Sequence, residues 1–317
     1  MGGVEHAKHV PVMVQEVLEY LRPKPGGLYV DATLGAGGHA ERILGAAPGS
    51  RLIGIDCDAE AIDAARARLR VYGERACLLQ RRHEELAALL TELGVTSVDG
   101  LLFDLGVSSL QLEAAGRGFS FLRDGPLDMR FDARQELTAA QLLATATVEE
   151  LTRLLRVHGE ERWAARIAKA VVQRRGARPL RRTGELAALV GSVVPRRFQS
   201  LRRHHVATQT FQALRVAVNR ELCGLAATLR AACRVLGPQG RLCVISFHSG
   251  EDRIVKEVLR ELARGCVCPP RQPVCTCGGK PLITLLTRRP RRPSAGEVAA
   301  NPRARSARLR AAERLAT

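Results

Sequence analysis

Aromatic residues are scarce in this chain: seven Phe, three Tyr and one Trp make up 3% of its 317 residues. A protein that holds single strands on rows of stacked rings is therefore not expected, because such rows need many exposed aromatics. No apolar run approaches the roughly 18 residues of a membrane span. Residues 1–9 have no apolar signal core and no arginine-rich transit pattern, so the expected localisation is cytoplasmic. No internal repeat is evident. Acidic residues are also in deficit, with Asp+Glu at 32 against Lys+Arg at 49.

What remains is a globular composition with a strong positive charge. Hydrophobic residues are 46% and charged residues 26%, which excludes disorder over the whole chain. The length suggests two domains. A formal charge of +17 calls for an anionic partner, and RNA is the first candidate. The basic residues are nearly all arginine, which grips phosphate bidentately and stacks on bases; the competing explanation is a genome rich in arginine codons. Five of the nine cysteines (Cys57, Cys77, Cys223, Cys233 and Cys243) sit in apolar segments and read as small core residues. The others form Cys266-x-Cys268 and Cys275-x-Cys277, unlike the usual zinc spacing with two intervening residues. They are read as free thiols, with zinc as the alternative and no metal assigned.

The chain is organised around Val30-Asp31-Ala32-Thr33-Leu34-Gly35-Ala36-Gly37-Gly38-His39. A short strand ends at Asp31, three glycines follow, and a helix is predicted over 40–47. Strand, glycine turn and helix open a nucleotide-binding α/β unit, because a side chain in the turn would hold the backbone away from the ligand. Asp56 follows at the interval of a ribose-binding carboxylate. At this point a dinucleotide and S-adenosylmethionine fit equally.

Further strands are predicted over 52–55, 77–79 and 100–103, alternating with helices over 59–69 and 84–93. This rhythm argues for a parallel sheet covered on both faces. Asp31, Asp56 and Asp104 would stand at one edge of it, where open α/β folds bind ligands. From about 111 to 210 the pattern turns helical, with helices over 139–143, 148–157, 160–174 and 183–193. These residues are read as an insertion between 1–110 and 211–317. A helix over 211–236, strands over 242–246 and 282–286, and a basic tail from Arg288 complete the reading.

Seven motifs in order resemble one family. They are Lys8-His9-Val10-Pro11-Val12, the Asp31–His39 turn, Phe103-Asp104-Leu105-Gly106-Val107-Ser108-Ser109, and Arg117-Gly118-Phe119-Ser120-Phe121. Asp124-Gly125-Pro126-Leu127-Asp128-Met129-Arg130, Ser246-Phe247-His248-Ser249-x-Glu251-Asp252-Arg253 and Asn301-Pro302-Arg303-Ala304-Arg305-Ser306 follow. Together they resemble the bacterial small-subunit rRNA cytosine-N4 methyltransferases (the MraW/RsmH family). The resemblance implies a class I, Rossmann-like methyltransferase sheet with a helical insertion and S-adenosylmethionine as cofactor. It also implies N4 methylation of one cytidine in the decoding region of 16S rRNA, presented as naked RNA or as the small ribosomal subunit. Carried over by position, the cofactor contacts are Gly37, Gly38, His39, Asp56, Asp104 and Gln111. His83 is added to them, although it stands where relatives carry an aromatic. Leu110 and Val206 replace common prolines, and Gly250 a common leucine.

The chemistry asks for particular groups. Asp56 can accept ribose hydroxyls, and Asp104 the cofactor's amine or adenine edge. The cytosine amine is a poor nucleophile, since its lone pair is delocalised into the ring. An acceptor that holds its N–H turns the lone pair towards the methyl group and takes the proton late. Asp104 and Ser108 are the candidates. The aromatic that DNA amino-methyltransferases place after this strand is missing, which leaves Phe119, Phe121 and Phe247 as candidate stacking partners. Asp128, Arg130 and His248 are expected to hold a flipped cytidine or neighbouring phosphates; the alternative for Asp128 is an internal salt bridge. The insertion would serve as a homodimer face or an RNA clamp. Competing functions are a nicotinamide-dependent oxidoreductase, which leaves the charge unexplained, and a non-catalytic RNA-binding ribosome-assembly factor.

Overall fold

The structure is a computed structural model that describes residues 11–200, 204–265, 268, 272, 274 and 276–316. It divides into two compact units, Met1–Gly106 with Leu222–Thr317, and Val107–Glu221.

The first unit holds one sheet of seven strands. They are β1 (Leu28–Asp31), β2 (Arg51–Asp56), β3 (Ala76–Gln80), β4 (Val98–Asp104), β5 (Leu236–Ser246), β6 (Ile283–Leu285) and β7 (Arg308–Arg314). Their order is β3-β2-β1-β4-β5-β7-β6. β1 to β5 pair in parallel, and β7 runs antiparallel to both its neighbours. This is the Rossmann-like class I methyltransferase sheet. Alternate residues face opposite sides. Val30, Ile53, Phe103 and Val244 therefore enter one core, and Tyr29, Leu52, Leu102 and Cys243 the other. The second core is closed by α1 (Val14–Leu21), α2 (Gly38–Ala46) and α3 (Ala59–Leu69), and the first by α4 (Leu86–Glu92) with helices that follow the second unit. Asp58 starts α3, its Oδ1 accepting the Glu60 N–H at 3.1 Å. Asp58→Ala should lower unfolding free energy by about 1 kcal/mol. A urea midpoint that does not move would refute the cap.

The second unit contains α5 (Ser109–Glu113), α6 (Ala139–Thr145), α7 (Val148–Gly159), α8 (Ala164–Ala177), α9 (Thr183–Val193), α10 (Arg196–Gln199) and α11 (Thr208–Asn219). Thr138 with Gln141 and Thr147 with Glu150 form the capping boxes that start α6 and α7. Leu151, Leu155, Ile167, Val171, Leu186 and Leu214 build its core. No strand is present in this unit among the described residues.

Three expectations are corrected. The predicted helix over 211–236 is two helices, α11 and α12 (Leu225–Val235), and they belong to different units. Buried Asn219 ends α11: its Oδ1 accepts the Phe131 N–H at 2.6 Å and its Nδ2 donates to the Met129 carbonyl at 2.7 Å. The chain then takes left-handed values at Arg220 and Gly224, so the second unit reaches Glu221 rather than 210.

The basic tail, secondly, is not all tail. Beyond α13 (Ser249–Arg264), β6 and α14 (Ala295–Ala300), it supplies β7, the strand between β5 and β6. Arg310 can enter the sheet because Asp252 on α13 neutralises it, with Nε–Oδ1 at 2.6 Å and a second contact at 3.1 Å.

Of the five expected core cysteines, finally, only Cys233 and Cys243 are buried, and burial pushes both thiols up to about 12. Cys77 lies on the edge strand β3 and is exposed, as is Cys223 between α11 and α12; Cys57 is half-buried. Cys266 and Cys275 lie outside the described residues, and with them the paired-thiol reading. Among the described residues no helix is long and apolar enough to cross a membrane.

Candidate functional site

The first unit gathers three carboxylates at the carboxyl ends of β1, β2 and β4, because parallel strands of matched register end at one edge. Asp31 is 1% exposed. Burial pushes its carboxyl up to about 7, against the influence of His39 and the Thr33 N–H, while Asp104 and Asp56 add to the rise. Asp56 Oδ2 accepts the Gly35 N–H at 2.8 Å and its Oδ1 the Asp58 N–H at 2.9 Å. These bonds fasten the glycine turn to the end of β2. Burial nevertheless raises the Asp56 carboxyl above its usual value. The backbone N–H of Asp104 donates to Thr33 Oγ1 at 2.5 Å, tying β4 to the same turn.

The turn's glycines divide the work. Gly35 sits at φ +51°, and a Cβ there would meet nothing within 4 Å, so its outer face is open. A Cβ on Gly37 would stand 3.2 Å from Ala65 of α3, and one on Gly38 would stand 2.6 Å from Pro11. Those two faces are spent on packing, which leaves the backbone of Gly37 and Gly38 for any ligand contact.

His39, in the first turn of α2, is 5% exposed. Its Nε2 lies 3.5 Å from Asp104 Oδ2. Neither ring nitrogen of His39 has a hydrogen-bond partner, nor does Asp104 Oδ1, although all three atoms are buried. Buried polar atoms are nearly always satisfied. Three orphans beside the ends of β1 and β4 mark a place for a polar ligand. The His83 ring stands edge-on to Phe103 at 6.3 Å, and its buried Nδ1, which makes no hydrogen bond, lies 3.5 Å from Glu84 Oε2. Burial holds the His83 imidazole below its usual value, against the opposing pull of Glu84. The donor and acceptor set fits an adenosine with an amino-acid tail: Asp56 suits a ribose diol, Asp104 an amine, and the open face of Gly35 lets a ligand approach the turn.

His248 has a more local task. It caps α13, its Nδ1 accepting the Glu251 N–H at 3.4 Å, while the buried Nε2 makes no hydrogen bond and lies 3.1 Å from Glu251 Oε1. Glu251, 2% exposed, accepts the backbone N–H of Phe247 at 2.8 Å and of His248 at 3.2 Å.

The remaining predicted residues belong to the second unit. Ser108 Oγ accepts the Gln111 N–H at 3.3 Å, and Gln111 Oε1 accepts the Ser108 N–H at 3.0 Å. The two form the capping box of α5, a pattern that Ser-x-x-Gln announces in the sequence. Asp128 and Arg130 make the internal salt bridge held open above, with Nε–Oδ1 at 2.9 Å and Nη2–Oδ2 at 2.7 Å. Burial raises the Asp128 carboxyl, but the Arg130 hydrogen bonds outweigh it and hold the group below its usual value. Arg130 also donates to the carbonyls of Ala133 and Gln135. Phe119 stacks on Phe131 at 5.4 Å within the core, and Phe121 packs on His205 and Phe211.

Thr33, which no sequence signal singles out, joins Asp31 and Asp104 at this edge through its hydrogen bonds. Asp31 was visible as the residue ending β1, but its burial beside His39 depends on α2 folding back over the strand.

The family described as the MraW methylase family matches residues 6–315. The chain is 49% identical over 309 residues to a "Ribosomal RNA small subunit methyltransferase H" from Heliobacterium modesticaldum, covering 97% of this chain and 98% of that one. A protein of the same name from Geobacter sulfurreducens is 52% identical over 308 residues, covering 97% and 99%. Among solved structures, an rRNA methylase from Streptococcus thermophilus aligns with 95% of this chain and 93% of its own at 12% identity and a TM-score of 0.39, a likeness too distant to bear on function. With a family match over nearly its whole length and relatives at about half identity, this chain belongs to the MraW methylase family.

Proposed function

We propose that this protein transfers a methyl group from S-adenosylmethionine to N4 of a cytidine in the decoding region of small-subunit rRNA. The observation that carries the reading is the set of orphaned polar atoms on His39 and Asp104 at the strand ends of a class I methyltransferase sheet. The names of the relatives support small-subunit rRNA as the substrate. When bound, S-adenosylmethionine supplies an electrophilic methyl group. Asp56 holds its ribose, and the glycine turn, His39 and His83 frame the rest.

Asp104 accepts an N–H of the cytosine amine and so aims the lone pair at the methyl carbon. It is a better acceptor than Ser108, whose oxygen already serves the Gln111 N–H. The helical unit supplies the RNA contacts, with the Asp128–Arg130 pair holding its loop in shape.

The test is transfer of labelled methyl to small subunits that lack the decoding-region mark, with naked rRNA alongside. Label recovered as N4-methylcytidine at one position supports the reading, and the better substrate reveals the assembly stage. Cofactor binding without label would point to another acceptor. Asp104→Asn should lower turnover at saturating cofactor by about 10- to 100-fold. If Asp104→Asn and Ser108→Ala both turn over normally, neither residue holds the amine.

A further inference from the structure

The second unit carries, at the margin of its core, an aromatic and arginine cluster that the methyl-transfer chemistry does not use. Trp163, at the start of α8, and Phe198, in α10, face each other with ring centroids 5.4 Å apart. Both rings are half-buried, and the arginines around them are exposed. The Arg162 guanidinium lies 5.7 Å from the Trp163 centroid and 5.1 Å from that of Phe198. Arg166 lies 5.3 Å from Trp163, and Arg197 4.9 Å from Phe198. Among the described residues, none of the three is paired with a carboxylate.

Surface arginines are commonly neutralised by an acid. These three are held by ring faces instead, an attraction of the cation for the ring quadrupole that leaves the N–H groups unspent. A guanidinium ordered in this way has less rotamer entropy to lose when it grips an anion. The rings add surface on which an unpaired base can stack. Three unpaired cations exclude a basic partner, and the planar groups favour a ligand that carries both phosphates and flat rings.

We infer that Trp163, Phe198, Arg162, Arg166 and Arg197 form a platform for an unpaired RNA strand. This rests on the RNA-methyltransferase reading and names the surface that grips the substrate outside the reacting nucleotide. The arginines take successive phosphates, and the tryptophan–phenylalanine pair takes a base. Binding there is uniform between ground state and transition state, so it lowers KM and leaves kcat unchanged.

The experiment uses the fact that Trp163 is the chain's only tryptophan. The full-length protein is titrated with a uridine oligonucleotide, and tryptophan emission is read across a salt series. Quenching that saturates is expected. In the triple variant Arg162→Gln, Arg166→Gln, Arg197→Gln, Kd should rise about 10- to 100-fold at low salt. The slope of log K against log salt should flatten by about 2, the value for three phosphates lost from a single strand. The same variant should raise KM for the rRNA substrate at unchanged kcat. An unquenched wild type, or a triple variant with wild-type affinity and slope, overturns the platform. Heparin quenching the emission equally at matched charge overturns RNA as its occupant. Failure of the methyl-transfer reading would show separately, as absent label with RNA still bound at the platform.

Discussion

Replacing Gly118 by alanine is expected to cost the helical unit more than about 3 kcal/mol. Gly118 sits at φ +72°, where an L side chain is already disfavoured by about 1 kcal/mol. The larger part is steric. A Cβ there would overlap the carbonyl oxygen of Pro126 and stand 2.8 Å from the Asp128 nitrogen. Both obstacles are backbone, so neither can rotate away. They belong to the loop in which Met129 donates to the Arg117 carbonyl and Arg130 clasps Asp128. Gly116 is the internal control: it has no positive φ, and a Cβ there meets nothing within 4 Å. Gly116→Ala should change stability by less than about 0.5 kcal/mol. Urea unfolding followed by Trp163 emission reads this unit directly. Equal midpoints for the two variants would refute the steric account.

The second large effect is a pH dependence. Asp31 has a usual pKa of 3.8 when unfolded and one of about 7 in the fold, raised first of all by burial. Below about pH 4 both states hold the proton and the group contributes nothing to the balance. Between about pH 4 and about pH 7 the folded state keeps a proton that the unfolded state has released. Stability therefore falls as pH rises through this window, and the loss levels off above it. The gap between the two values corresponds to about 4 kcal/mol. Carboxylates held low, such as Asp128, act in the opposite direction, so the quantity to measure is a difference. Asp31→Asn keeps an oxygen for the Thr33 N–H and has no proton to lose. Its unfolding free energy relative to wild type should rise from about pH 4 to about pH 7 and then stay level. Parallel curves for the two proteins would mean that Asp31 ionises freely in the fold.

Read residue by residue, the local pattern carried the α/β core a long way. Apolar runs ending in Asp31, Asp56 and Asp104 placed β1, β2 and β4, and the glycines after Asp31 placed the turn, because strands, tight turns and helices leave periodic or punctuated traces within a dozen residues. The bounds of α9, Thr183–Val193, are legible for the same reason. What local pattern could not carry depended on partners distant in the chain. The apolar spacing runs on through residues 211–236, and only Asn219 reaching Phe131 and Met129 shows where α11 must stop. Composition made residues beyond Arg288 look like a solvated tail, whereas Asp252, 58 residues before Arg310, makes room for that charge in the sheet.

The same division runs through the candidate site. Sequence alone determined the family, the glycine turn and the carboxylates at the strand ends, since each is written in contiguous residues. Tertiary structure decided which of those groups are spent and which are free. Ser108, Gln111, Asp128 and Arg130 look equally available as letters, yet their hydrogen bonds go to a cap and to one another. His39 and Asp104 retain buried, unanswered polar atoms. Satisfaction of a hydrogen-bonding group depends on what lies within about 3 Å of it, and that distance is set by packing between elements rather than by neighbours along the chain.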